Sequence, residues 1–196
     1  MPNKCQINLK IKNQIKLSFK NSSEITELYR SLQLDYPKFF KMDGLSKLGF
    51  LASEVILKDD ENRFEPREDV AIICFNSASS LDIDTQYQAT IQVNENYFPS
   101  PSLFVYTLPN IVNGEIAIRN KFMGESFFYI CKKFDALQIV DTVKNAFLDK
   151  ATSAVLIAWI EYFEEEKEVF MMWIDNENGE LDFTEEQINK LYNNKN

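Results

Sequence analysis

The sequence predicts an α/β fold in which one mixed, mostly parallel sheet is covered by helices. A continuous apolar run, Val70 to Phe75, has the length and β-branched character of a strand buried on both faces. Strand-like and helix-like segments also alternate along most of the chain, which is typical of α/β proteins. From the length of 196 residues we expect a single domain over residues 1–190 and a frayed tail over 191–196.

The N-terminal segment has two runs of alternating apolar residues, from Ile7 to Ile11 and from Ile15 to Phe19. The polar residues Lys12-Asn13-Gln14 separate the two runs. Two alternating runs around a polar break predict an N-terminal hairpin.

Helices follow this segment. Ser22 or Ser23 can cap a helix through Leu34, and Tyr36-Pro37 should end it. From Asp43 to Leu57 the apolar residues form one stripe at helical spacing, which predicts an amphipathic helix.

The rest of the chain continues the alternation after a small-residue turn at Asn76–Ser80. We predict first a helix over Asp82–Val93, then a mostly helical stretch over Ser102–Phe122, a strand over Phe127–Cys131 and a helix over Asp135–Phe147. Two strands follow, over Ala154–Phe163 and Val169–Ile174, joined by a solvated tip at Glu164–Glu166. The last predicted element is a helix over Thr184–Leu191.

The composition limits the classes of partner and location. A net charge of −9 and a pI near 4.7 disfavour nucleic acid and anionic membrane surfaces, which usually require a basic face. The apolar runs are too short for a membrane span, and no export signal is visible. Three widely spaced cysteines suggest neither disulfides nor a zinc site, so a cytoplasmic location is expected.

The chain contains no histidine, the commonest general base near neutral pH and the commonest metal ligand. Any chemistry would therefore depend on carboxylates, lysines, tyrosines or cysteines. The acidic runs Glu164–Glu166 and Asp175–Gly179 lack the spacing of a calcium loop. We therefore expect no metal and no cofactor.

One segment carries a family pattern. In Pro101–Ile118, a Leu108-Pro109-Asn110 triplet is followed by Gly114-Glu115-Ile116-Ala117-Ile118, an order that resembles the β-ketoacyl synthase segment ahead of the nucleophile strand. Three further features occur in the same order as in that family. They are Lys41-Met42-Asp43 at the start of a helix, the Val70 to Phe75 strand with its Ser-rich turn, and Gly124 before the next strand. The resemblance spans Lys41 to Ile174 and implies the N-terminal half of that family's thiolase-like fold.

The resemblance also implies that the synthase chemistry is lost. In that family a cysteine nucleophile lies nine positions after the glycine, and counting from Gly124 leads to Lys133. Lys132 and Phe134 replace small neighbours that would leave room for an acyl chain. The catalytic histidines belong to the family's C-terminal half, which this chain does not contain.

Cys131 is the alternative nucleophile. It lies two residues before the expected position, a displacement of about 6–7 Å along an extended strand. We expect an inert, buried thiol there, and a core thiol at Cys74. The alternative is residual acyltransferase activity of the 3-oxoacyl synthase type through Cys131.

The aromatic segment Phe127-Phe128-Tyr129, with Cys131, has two interpretations. It can be sheet core, or, as the resemblance implies, the strand that pairs with a partner subunit. The second interpretation predicts a homodimer, or a heterodimer with a full-length ketoacyl synthase. Acyl carrier protein is a less favoured partner because it is itself acidic.

The leading functional hypothesis is a non-catalytic accessory or chain-length-factor-like subunit of fatty-acid or polyketide biosynthesis. A structural or ligand-binding protein that only retains the fold is the other alternative.

Overall fold

The computed structural model describes residues 8–92, 97–176 and 179–194. Its elements follow in chain order: β1 (Lys10–Ser18), α1 (Ser22–Ser31), a 3₁₀ turn (Pro37–Lys41), α2 (Gly44–Ile56), β2 (Val70–Asn76), α3 (Leu81–Ile91), α4 (Pro101–Tyr106), α5 (Ile111–Asn120), β3 (Ser126–Ile130), α6 (Ala136–Ala146), β4 (Ala154–Phe163), β5 (Glu166–Asp175), β6 (Leu181–Asp182) and α7 (Glu185–Asn193).

The described strands form one mixed sheet in the order β3-β2-β4-β5-β1-β6. Strand β2 lies parallel to both β3 and β4, whereas the pairings of β4 with β5, β5 with β1 and β1 with β6 are antiparallel. The predicted mixed sheet is confirmed, and its parallel part consists of β3, β2 and β4.

The predicted N-terminal hairpin is wrong over the residues that the structure describes. Strand β1 is continuous, and both of its parts pair with β5, with a bulge between Ile11 and Asn13. The bulge adds one residue, so the apolar side chains before and after it point to opposite faces of the sheet. Ile11 packs with the cluster around α6 and α7, and Leu17 packs with the cluster around α2. The polar break at Lys12-Asn13-Gln14 therefore marks a bulge, not a turn.

Helices cover both faces of the sheet. On one face α1, α2 and α5 pack over alternate residues of the strands, including Ile72 and Leu156. On the other face α6 and α7 cover the intervening residues, including Ile73 and Ile157. Every residue of β2 is buried, as the apolar run predicts.

Local signals fix several element ends. The Asp43 side chain accepts a hydrogen bond from the Ser46 backbone N–H and caps α2. The long helical stretch after residue 101 is divided into α4 and α5 around Pro109. The position just before β3 requires a glycine, because a side chain at Gly124 would collide with the Val70 carbonyl oxygen.

The C-terminal end differs from the predicted frayed tail. Helix α7 continues to Asn193, and the Leu191 and Tyr192 side chains pack against the core. Residues 195 and 196 lie outside the described residues, as does Cys5.

Candidate functional site

The carboxyl ends of the parallel strands β2, β3 and β4 meet at one edge of the sheet, where α/β proteins commonly bind ligands. A cavity of about 510 Å³ opens at this edge. It is lined by Ser18, Phe19, Ser77, Lys132, Lys133, Phe134, Trp159, Glu161, Glu165, Glu166, Lys167, Glu168 and Tyr192.

Lys133 lies in the turn between β3 and α6 and lines this cavity. It and Lys132 are exposed, and neither has an ion-pair partner among the described residues. The next residue, Phe134, packs its ring against Trp159, with centroids 5.7 Å apart. The position that the resemblance gives to a nucleophile thus carries an exposed amine beside a bulky ring.

Cys131 is half-buried and lies directly after β3. Its backbone N–H donates to the Asn76 carbonyl at 2.7 Å, and its Sγ donates to Gln138 Oε1 at 3.3 Å. Burial raises the pKa of the Cys131 thiol, the Gln138 contact opposes this, and Asp135 adds to it. The thiol form is therefore favoured over the nucleophilic thiolate.

Cys74 lies within β2 and is fully buried. Burial raises the pKa of its thiol well above the usual value. This thiol is a core residue, in agreement with its apolar sequence context.

Glu161 is the cavity residue that sequence reasoning missed. It is only 3% exposed, and its Oε1 accepts a hydrogen bond from the Ser77 backbone N–H at 2.6 Å. Its Oε2 is buried and has no hydrogen-bond partner among the described residues. Burial raises the pKa of the Glu161 carboxyl, the Ser77 hydroxyl and the N–H groups of the Ser77–Ala78 turn oppose this, and the Glu166 carboxylate adds to it. A lone carboxylate inside the apolar run Ala154–Phe163 was the sequence signal for this site.

Helix α7 forms one side of the cavity through Tyr192. The Tyr192 hydroxyl donates to Glu168 Oε1 at 2.7 Å, and Lys16 Nζ donates to the Tyr192 carbonyl at 2.7 Å. Burial and the Glu168 carboxylate raise the pKa of the Tyr192 hydroxyl. These polar groups are therefore satisfied within the chain, in contrast to Glu161.

A second feature of this region is the open edge of β3, which among the described strands has β2 as its one neighbour. Phe127 is 41% exposed and Ile130 is 58% exposed. Phe128 packs against the α2 cluster, and the Tyr129 ring stacks on Phe75 with centroids 5.0 Å apart. The aromatic segment thus divides into packed residues and residues that face solvent.

The edge also presents free main-chain groups. Successive N–H groups of a strand point to opposite sides. Since the Cys131 N–H points to β2, the Ile130 N–H points away from it. An open strand edge beside exposed apolar side chains is a typical pairing surface.

Sequence comparisons find no relatives: no family model and no curated protein match this chain. Solved structures do match. The ishigamide ketosynthase/chain length factor superposes with a TM-score of 0.65 at 13% identity, over 86% of this chain and 62% of that one. The chain has the fold of the ketosynthases.

Two further ketosynthase-fold structures agree. A ketosynthase in complex with its chain length factor from Xenorhabdus doucetiae gives a TM-score of 0.57 at 12% identity, over 87% of this chain and 79% of that one. A β-ketoacyl synthase from Burkholderia phymatum gives a TM-score of 0.58 at 9% identity, over 86% of this chain and 59% of that one. The chain thus spans about three fifths of the length of two of these three proteins. The predicted thiolase-like fold is confirmed.

Within residues 8–92, 97–176 and 179–194, no group of three or more His, Cys, Asp or Glu side chains could hold a metal ion. No helix within these ranges is long and apolar enough to cross a membrane.

Proposed function

We propose that this chain is a non-catalytic ketosynthase-fold subunit that pairs with a full-length ketosynthase in fatty-acid or polyketide biosynthesis. The observation that carries the proposal is the open edge of β3, where Phe127 and Ile130 are exposed. One matched structure is a ketosynthase bound to its chain length factor. An accessory role of that kind is our proposal for this chain.

The cavity supports the absence of catalysis. Acyl transfer by a ketosynthase needs an activated thiolate, and the corresponding position carries Lys133. The nearest thiol, Cys131, has a raised pKa, and the chain has no histidine that could activate it. The Phe134 ring lies beside Trp159 and Tyr192 and fills space next to the cavity.

The choice of partner follows from charge and surface. The net charge of −9 would repel an acidic carrier protein. The exposed apolar residues of β3, Phe127 and Ile130, favour a partner that offers its own strand edge and apolar side chains. A full-length ketosynthase fits these requirements, and a second copy of this chain is the competing outcome.

The test mixes the unaltered chain with each ketosynthase of its own cell, after both have been purified separately. Light scattering on a sizing column then measures the mass of any complex. We expect one of them to form a defined heterodimer with this chain. A monomer that binds none of them, or a homodimer that excludes them, would contradict the proposal.

Two variants of Ile130 test the surface itself. Ile130→Pro removes an N–H that faces away from β2, so the intrachain ladder keeps its bonds. Ile130→Thr is the matched control because it also replaces the isoleucine side chain but retains the N–H. We expect the proline variant to bind the ketosynthase at least about tenfold more weakly than the threonine variant. Equal binding would exclude pairing through this edge.

A further inference from the structure

Among the described residues that line the cavity at the carboxyl ends of the parallel strands, Glu161 has a buried side-chain oxygen without a hydrogen-bond partner. Glu161 Oε1 is bound by the Ser77 N–H at 2.6 Å, while Oε2 has no partner among the described residues. A buried carboxylate oxygen without a donor is costly. A ligand that brings a donor to this point would remove that cost.

The surroundings of Glu161 define the chemistry of such a ligand. The rings of Trp159, Phe134 and Tyr192 line the same cavity, and the Glu166 carboxylate acts on Glu161 from the adjacent strand. Aromatic faces and carboxylates together attract cations. They also accommodate an apolar chain.

We propose that this cavity binds a small primary amine with an apolar body, its ammonium group donating to Glu161 and its body lying against Trp159 and Phe134. The positive charge would compensate the two neighbouring carboxylates, and its N–H groups would satisfy Oε2. Tyr192 and Lys16 already form hydrogen bonds within the chain, so they do not compete with Glu161 for the ammonium group.

Lys132 and Lys133 do not favour the opposite assignment. Both side chains are exposed to solvent, whereas Glu161 is only 3% exposed. An anion drawn to them would have to leave its apolar body near the buried charge of Glu161. The buried charge of Glu161, rather than the solvent-exposed charges of Lys132 and Lys133, therefore selects the ligand.

Three probes of equal length test the proposal on the unaltered chain: hexylamine, hexanol and hexanoate, each measured by calorimetry near pH 7. We expect saturable binding of hexylamine, and binding of hexanol and hexanoate at least about tenfold weaker. Equal or tighter binding of hexanoate or hexanol would overturn the proposal. The absence of any binding heat with hexylamine at about 10 mM would also overturn it, because that concentration detects even millimolar affinity.

Variants then assign the site. Glu161→Gln keeps an acceptor for the Ser77 N–H but removes the charge, so it should weaken hexylamine binding at least about tenfold. Glu186→Gln, on the exposed first turn of α7, is the matched control and should leave binding unchanged. Unchanged binding in a folded Glu161→Gln chain would contradict the assignment. If that variant does not fold, the three probes on the unaltered chain still decide.

Amine binding does not require a ketosynthase partner. A chain that binds hexylamine but pairs with no synthase would retain this inference and refute the proposed function. A chain that pairs with a ketosynthase but does not bind hexylamine would retain the proposed function and refute this inference.

Discussion

The rings of Phe134 and Tyr192 stack face to face, with centroids 3.6 Å apart and planes at 5°. The first ring belongs to the turn between β3 and α6 and the second to the last turn of α7. The contact therefore ties the C-terminal helix to the turn that carries Lys133.

Tyr192→Ala should lower the free energy of unfolding by about 2 kcal/mol, because it removes a stacked, half-buried ring. Tyr192→Phe retains the ring and loses only the hydrogen bond to Glu168, so about 1 kcal/mol is expected. Urea unfolding followed by circular dichroism measures both. A Tyr192→Ala chain as stable as the parent would mean that α7 is not held by this contact.

The buried carboxylate of Glu54 lies between two guanidinium groups. It accepts from Arg63 at 2.5 Å and from Arg119 Nε at 2.8 Å, and so connects α2, the loop after it and α5. Removal of one member of a buried ion cluster leaves the others uncompensated.

Glu54→Ala should therefore cost about 3–5 kcal/mol of stability, measured by urea unfolding at neutral pH. Glu27→Ala, an exposed site on α1, serves as the control and should change stability by less than about 0.5 kcal/mol. A similar small effect for both variants would rule out a structural role for the Glu54 cluster.

Features set by local residues could be predicted from the sequence. Helix α2 begins after its capping residue Asp43 and follows the apolar stripe, and β2 follows its apolar run. The hairpin prediction failed because a polar break between two alternating runs fits a bulge as well as a turn, and only the pairing with β5 distinguishes them.

The candidate site was harder to predict because its parts are distant in sequence. Ser77 and Glu161, which share a hydrogen bond, are 84 positions apart. The stacking partner of Phe134 lies in a segment whose polar composition suggested a frayed tail. Lys133 was found because its position relative to Gly124 is local.

Stability at acid pH should depend on Asp69. Hydrogen bonds from Arg67 lower the pKa of this carboxyl to about 2, with a further contribution from Ser153, against about 3.9 in an unfolded chain. The folded state therefore binds the proton more weakly. The stabilisation is present above about pH 4 and is lost as the pH falls towards 2.

Asp69→Asn should reduce this acid dependence. We expect the stability difference between parent and variant, from urea unfolding at several pH values, to shrink as the pH decreases from about 5 to about 2. The side chain is partly exposed, so the effect is modest. Parallel pH profiles for the two chains would show that the Arg67 contact contributes nothing.

The reactivity of Cys131 separates a non-catalytic subunit from a residual acyltransferase. Its thiol has a raised pKa and is half-buried, so iodoacetamide near pH 7 should modify it more slowly in the folded chain than in urea. Cys74 should react only after unfolding, because it is buried in β2. Peptide mapping after timed labelling measures both rates.

With acyl thioesters in place of iodoacetamide, the intact mass of the native chain should stay unchanged, since the raised pKa of Cys131 disfavours its nucleophilic thiolate. Cys131→Ser is the matched control for any adduct that does form. An acyl adduct on the native chain that disappears in Cys131→Ser would establish a working nucleophile. It would contradict the proposed non-catalytic role, while the ketosynthase fold and the open edge of β3 would remain.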